Sequence, residues 1–509
     1  MMFGPQASRR GRVALTAAVL CLVVVVAGCT KDERDRDRTP DAVVGTVDWE
    51  DCFDDARDTN PDLERSLSVE CGTVEVPKDW AEPDGATFDI AVMRIYSGDA
   101  EDKMGSVLTN PGGPGGSGLG FLPFLVPDLT SLMDEFIMVT FDPRGVGESE
   151  PVDCISDDDL DESFAYDPDP ASQTLFDGNV ELAERIGEGC ADEYGDDLKL
   201  FSTVQTAKDM DAIRAAVGDE KLTYIGFSYG TLLGAVYAQL FPEKVRALVL
   251  DGAVDPQQGP VESSEGQAIG FERALDNFSA WCKDNASRCP IARDPRGAIE
   301  EVLDKARVDP VEGPDGREAT AGWILWGVIV TMYSQDYWQY LGVAIDDLAD
   351  GDAGLIFALA DAYAEREPDG SYSNMFDANN AINCTDSEYP SVDEIRDLQS
   401  QWRDEYPMFG TALAVGLLNC SVWPGGKDIY PTGPAQGAPP ILVVGTTGDP
   451  ATPYESTQKL ADMLGVGQVL TWEGEGHTAY PETRCINNAV DSYLINLTVP
   501  RAGTDCPAS

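Results

Sequence analysis

The sequence predicts an α/β fold in which a mostly parallel sheet is interrupted by a large helical lid insertion. Three observations carry this reading. Strand-like and helix-like segments alternate through the first half of the chain, the pattern of a parallel sheet with crossover helices. From residue 256 to 430 the pattern is helix and loop with few strand signals. After Pro439 the alternation returns.

Taken in chain order, residues 1–28 read as a targeting segment. Arg9, Arg10 and Arg12 precede the 16-residue apolar run Val13–Gly28, which is short for a membrane span of about 20 residues. A charged start and apolar middle fit a signal peptide. The run ends Val26-Ala27-Gly28-Cys29 and resembles the lipobox of bacterial lipoproteins, in which Cys29 would carry lipid. The alternative is a secreted chain cleaved nearby. Residues 29–45 follow as a charged tether.

The first part of the core is expected over 46–255. Thr87–Tyr96, Ser106–Thr109 and Phe136–Phe141 read as strands. Thr203–Val217 reads as a helix, with Ser202 and Gln205 in a capping-box pattern and Gly218 at its end. Leu222–Gly226 is a strand, Tyr229–Leu240 a helix stopped at Pro242, and Val245–Leu250 a strand. The lid spans 256–430. Its aromatics Trp323, Trp326, Tyr333, Tyr337, Trp338 and Tyr340 are expected to form its own hydrophobic core. The core resumes over 431–509 with strand Ile441–Val444, a helix near Ser456–Leu464, strand Val469–Trp472 and a helix near Asn487–Leu497.

Composition narrows the function. The 509 residues are 43% hydrophobic and 25% charged, as in a globular chain. Thirty-five basic residues against 90 acidic ones give a net charge of −55, which repels phosphate backbones and argues against a nucleic-acid partner. Twelve cysteines are present. Setting aside Cys21 and Cys29, the remaining even set suggests disulfides in an exported protein. Spacing leaves connectivity open. Pairing neighbours in order, 52–71, 154–190, 282–289, 384–420 and 485–506, closes the shortest loops.

The chemistry centres on Gly226-Phe227-Ser228-Tyr229-Gly230. A G-x-S-x-G run between a strand and a helix lifts a serine hydroxyl off the sheet at the positive end of a helix. Ser228 is a weak nucleophile without a base. His477, the one histidine in the sequence, lies after the strand ending at Trp472 and is the candidate base. Asp449, after strand Ile441–Val444, is the candidate to orient the imidazole; Asp428 and Asp462 fit that position less well. The order Ser228, Asp449, His477 is the order such sites take. The run Asn110-Pro111-Gly112-Gly113-Pro114-Gly115-Gly116 follows a strand, and its backbone can supply an oxyanion donor. The Gly113 and Tyr229 amides are assigned to that role. A phosphate-binding loop would end in Lys-Ser/Thr, which is missing here. No metal or organic cofactor is called for.

These residues carry a resemblance. The Gly-Gly-Pro-Gly-Gly run, Asp142-Pro143-Arg144-Gly145-Val146-Gly147-Glu148-Ser149, the Gly-Phe-Ser-Tyr-Gly elbow and the late Asp and His are similar to α/β-hydrolase serine peptidases of the proline iminopeptidase type. With the lipobox and paired cysteines, residues 46–506 more closely resemble the secreted tripeptidyl aminopeptidases of actinobacteria. The iminopeptidase motif has His where this chain has Pro111. The resemblance implies peptide substrates attacked from a free N-terminus, and such substrates need an anion for their ammonium group. Asp386 and Glu388, in Asn383-Cys384-Thr385-Asp386-Ser387-Glu388, are the candidates. The implied protein is an extracytoplasmic serine exopeptidase releasing short peptides, with contact to the membrane through its lipid anchor. A carboxylesterase or lipase with the same triad is the first alternative, and a catalytically inactive binding lipoprotein the second.

Overall fold

The computed structural model describes residues 45–167, 169 and 173–508. The expected signal peptide, Cys29 and all but the last residue of the tether lie outside them. The strands are β1 (Glu50–Asp51), β2 (Leu67–Pro77), β3 (Thr87–Ser97), β4 (Ser106–Asn110), β5 (Ile137–Phe141), β6 (Leu222–Phe227), β7 (Val245–Asp251), β8 (Val311–Glu312), β9 (Glu318–Ala319), β10 (Ile441–Gly448), β11 (Gly467–Glu475) and β12 (Thr504–Pro507). β8 and β9 pair in a small hairpin. The other ten form one sheet in the order β1-β2-β3-β5-β4-β6-β7-β10-β11-β12. Pairing is antiparallel from β1 to β5 and parallel from β5 to β12.

Strands β4 and β6 are buried at every residue, as expected where helices cover both faces of a parallel sheet. Register then decides where function can sit. Asn110 lies opposite Gly226, and Asp251 lies opposite both Phe227 and Val444. The carboxyl ends of β4, β6 and β7 therefore finish together, with β10 running four residues further to Gly448, and this end of the sheet is where open α/β sheets bind ligands.

Helices from Pro260–Asp284 to Leu418–Ser421 intervene between β7 and β10. They build a separate hydrophobic cluster around Phe278, Trp323, Leu341 and Ile345. The lid is larger than the sequence indicates. The helices Asp157–Ala165 and Gln173–Tyr194, between β5 and β6, join it. Phe164 stacks on Trp323 with ring centroids 5.4 Å apart, and Phe176 packs with Ile395 and Leu418. Of the six aromatics expected in the lid core, Trp323 and Trp338 are buried there, Trp326 and Tyr333 pack against it, and Tyr337 and Tyr340 are exposed. Strand β2, whose alternation is broken by Cys71 and Gly72, pairs with β3 over its whole length.

Among the described residues five disulfides join neighbouring cysteines in order: 52–71, 154–190, 282–289, 384–420 and 485–506. They are consistent with folding in an oxidising compartment.

The helix Thr203–Ala216 begins as expected, with the Ser202 hydroxyl accepting from the Gln205 amide at 3.2 Å. The reciprocal half of the capping box is missing, because Gln205 Oε1 accepts from Trp80 N instead. The same helix anchors Arg144, which is fully buried. Its guanidinium donates to both Asp209 carboxylate oxygens at 2.7 and 2.6 Å and to the carbonyls of Pro77, Lys78 and Leu200. Every donor of the planar fork is used. Asp142, two residues earlier, accepts from Ser117 Oγ and Leu119 N and so fixes the end of the glycine loop. Replacing Arg144 with Ala leaves the Asp209 charge buried and unpaired. The expected loss is about 3–5 kcal/mol of stability, read from the denaturant midpoint against the unsubstituted chain.

Candidate active site

Ser228 sits between β6 and the helix Tyr229–Leu240 with φ 55° and ψ −123°. A non-glycine residue there carries strain. Its amide donates to Asp251 O at 2.9 Å, and its carbonyl accepts from Thr231 N and Thr231 Oγ1. The flanking glycines are steric requirements. A Cβ on Gly230 would come 2.9 Å from Asn110 O.

The glycine loop leaves β4 beside this elbow. A Cβ on Gly112, at φ 101°, would come 2.9 Å from Ser228 Cβ. The Gly112 amide is taken by Asn110 Oδ1, and the Gly116 amide by Gly112 O. Among the described residues no protein acceptor engages the Gly113 amide. Tyr229, at the first helical position, has an amide outside the helix ladder. Gly113 and Tyr229 line a cavity of about 1110 Å³ together with Ser228 and His477.

His477 follows β11. Its Nδ1 lies 2.9 Å from both oxygens of Asp449, which follows β10 and is fully buried. Asp449 also accepts from Ala451 N, Thr452 N, Thr452 Oγ1 and Thr478 N. With Nδ1–H donated to the carboxylate, Nε2 is left to act as a base. The lid holds the same loop from above. The His477 amide donates to Tyr333 O at 2.8 Å, and the Tyr333 ring meets the imidazole edge-on with centroids 5.2 Å apart.

Asp251, at the end of β7, escaped the reading of the sequence. Its carboxylate accepts from Ala479 N and Tyr480 N at 2.7–3.1 Å, while its carbonyl holds the Ser228 amide. One buried residue thus ties the loop after His477 to the serine turn. The only sequence signal was an acid ending an apolar strand. Burial raises the Asp251 pKa to about 6, against the pull of those two amides. Burial also depresses the His477 pKa, but attraction from Asp449, the hydrogen bond to it and the charge of Asp251 outweigh this and leave it raised.

The structure does not bring Asp386 and Glu388 to the cavity. Asp386 is buried beneath it and accepts from Thr203 N at 3.0 Å and Thr203 Oγ1 at 2.5 Å, and Thr203 Oγ1 in turn lies 2.6 Å from Tyr229 Oη. Asp386 therefore caps a core helix, and burial lifts its pKa to about 7. Glu388 is exposed. Asn383 and Ser387 of the same segment do line the cavity, so it is the side chains of the two acids, not the segment, that miss it.

Comparison with known proteins agrees with this geometry. Residues 105–304 match a family model described as alpha/beta hydrolase fold, and residues 406–506 match one described as TAP-like protein. Serine protease Hip1 of Mycobacterium tuberculosis is 37% identical, over 99% of this chain and 100% of that protein. The chain belongs to the TAP-like α/β-hydrolase family. A further TAP-like relative is the tripeptidyl aminopeptidase of Streptomyces lividans, 31% identical over 88% of this chain and 84% of its own length. Carboxylesterase B of Mycobacterium tuberculosis is 35% identical over 94% of each chain. A solved proline iminopeptidase from Mycobacterium smegmatis covers 83% of this chain and 98% of its own, at 14% identity and a TM-score of 0.38.

A single histidine makes the electrostatics directly readable. Prepared without a histidine tag and labelled at His477, the protein is expected to show one imidazole titration above the usual value of about 6.5. Asp251→Asn removes a nearby negative charge and should move that midpoint down. Nuclear magnetic resonance across the pH range checks both.

Proposed function

We propose that this chain is an extracytoplasmic serine exopeptidase that releases short peptides, tripeptides among them, from free N-termini. The observation that carries the reading is His477, held from behind by buried Asp449, facing the same cavity as Ser228 on its strained turn. His477 Nε2 takes the Ser228 proton as Oγ attacks the scissile carbonyl. Asp449 holds the imidazole and stabilises its cation. The Gly113 and Tyr229 amides receive the tetrahedral oxyanion. His477 then protonates the departing amine, and water, deprotonated by the same imidazole, resolves the acyl-enzyme. The aminopeptidase and protease names of the relatives support peptide substrates. The signal-like start and lipobox support anchoring at the outer face of a membrane through Cys29.

A second reading is ester hydrolysis, favoured by the relative named as a carboxylesterase. The same acyl-enzyme serves both substrates, so only turnover separates them. The deciding assay pairs chromogenic tripeptides with free and blocked N-termini against a short acyl ester. Cleavage of the free tripeptide alone is expected, and ester cleavage alone would replace the peptidase reading. Ser228→Ala should lower kcat by about 10⁶-fold.

The pH dependence has a definite sign. The base must be neutral to accept a proton, and the His477 pKa is raised. Activity is therefore expected to fall as pH drops through a midpoint above about 6.5. A kcat/KM profile on the free tripeptide measures it.

A further inference from the structure

One helix of the lid turns a row of neutral amides to the cavity. In the helix Met375–Asp386, Phe376, Asn379, Asn380 and Asn383 line the cavity, at the spacing that places residues on one side of a helix. Ala378, Ala381, Ile382 and Thr385 bury the other side. The same wall carries the apolar side chains of Trp326 and Leu413. A few convergent polar groups in an apolar wall are what fix the orientation of a ligand.

The helix is seated on the oxyanion loop. A Cβ on Gly115, at φ 99°, would come 2.4 Å from Met375 O. Asn379 Nδ2 donates to Pro114 O at 2.8 Å. A carbonyl oxygen can only accept, so this contact sets the polarity of the amides that follow. With its NH2 group on Pro114, Asn379 turns Oδ1 to the next helical turn, where it accepts from Asn383 Nδ2 at 2.9 Å. Asn383 Oδ1 is then left as an acceptor with no protein donor among the described residues, on a half-buried side chain. Beside it, Asn419 Nδ2 donates to Asn380 Oδ1 at 3.0 Å. The disulfide 384–420 joins the chain next to Asn419 to the helix one turn beyond Asn380 and holds this pair.

We propose that Asn383 is a main-chain subsite: its Oδ1, oriented by Pro114 O through Asn379, accepts a backbone N–H from the acyl part of a peptide substrate. The proposal rests on the peptidase reading above and names the group by which that site recognises a peptide chain. The acyl part is the one the cavity has to hold when short peptides are released from an N-terminus, because the remaining chain leaves. Reach agrees. Asn383 lies one turn, about 5 Å along the helix axis, beyond the residue bonded to the oxyanion loop, and two extended residues span about 7 Å. The acyl group of a simple ester brings no N–H, and leaves Oδ1 without a donor.

The test uses tripeptide nitroanilides with free N-termini in three forms. One is all-amide; the other two carry an ester oxygen in place of the N–H of the second or of the third residue. Nitroaniline release reads cleavage at the anilide bond alone. In the unsubstituted enzyme one of the two replacements is expected to lower kcat/KM by about tenfold against the all-amide form, the scale of one neutral hydrogen bond. In Asn383→Ala that ratio should collapse to about one, because the acceptor is gone. Asn383→Leu gives a second variant without the acceptor should the alanine chain fail to fold. Asn379→Leu, which cuts the contact with Pro114, should lower the ratio part of the way. A ratio that survives in the Asn383 variants, with all three substrates slowed alike, overturns the proposal and leaves the peptidase reading intact. So does indifference of the unsubstituted enzyme to both replacements while all three peptides are cleaved. A ratio lost in the Asn383 variants but kept in Asn379→Leu overturns the orientation through Asn379. If no peptide is cleaved while a short acyl ester is, the peptidase reading fails, and the proposal with it.

Discussion

The site depends on one strained turn. Ser228 occupies a left-handed backbone conformation at φ 55° that costs on the order of 1–3 kcal/mol. Neighbouring elements hold it there. Parallel strands on both sides of β6 fix its direction, Gly112 and Gly230 let the main chain crowd against it, and Asp251 O takes the serine amide. Once the turn is fixed, the glycine loop has nowhere to lie except beside the nucleophile. The same sheet register brings Asp449 and His477 in from β10 and β11.

Around this turn the molecule uses buried charges as fasteners. Arg144 joins the β2 end to the helix Thr203–Ala216 through Asp209. Asp142 holds the exit of the glycine loop. Asp251 secures the loop that follows the histidine. Asp386 reaches from the lid to Thr203 beneath Tyr229. Each of these acids or bases is matched by backbone or side-chain donors, which is what allows charge inside a core.

Much of the core was legible in the sequence because its signals are local. The elbow is contiguous, the helix Tyr229–Leu240 has clean ends, and the late strands carry Asp449 and His477 where strand order demands. What escaped depends on tertiary contact. Asp251 looks like any acid ending an apolar strand until β10 and β11 fold against it. Asp386 looks like a substrate ligand until Thr203 claims its carboxylate. The helices Asp157–Ala165 and Gln173–Tyr194 precede β6 in the chain, so nothing in their order shows that Phe164 will stack on Trp323 in the lid. The pairing of Tyr333 with His477 crosses the chain from lid to core and left no local trace.

The central claim is that a peptide with a free N-terminus becomes covalently attached to Ser228. Rapid quench of the enzyme with a free tripeptide ester, followed by peptide-mapping mass spectrometry, tests it most directly. The account predicts a tripeptidyl adduct on the peptide containing Ser228, lost in Ser228→Ala. Turnover of that ester with no adduct at Ser228, or with the adduct on another residue, would contradict it.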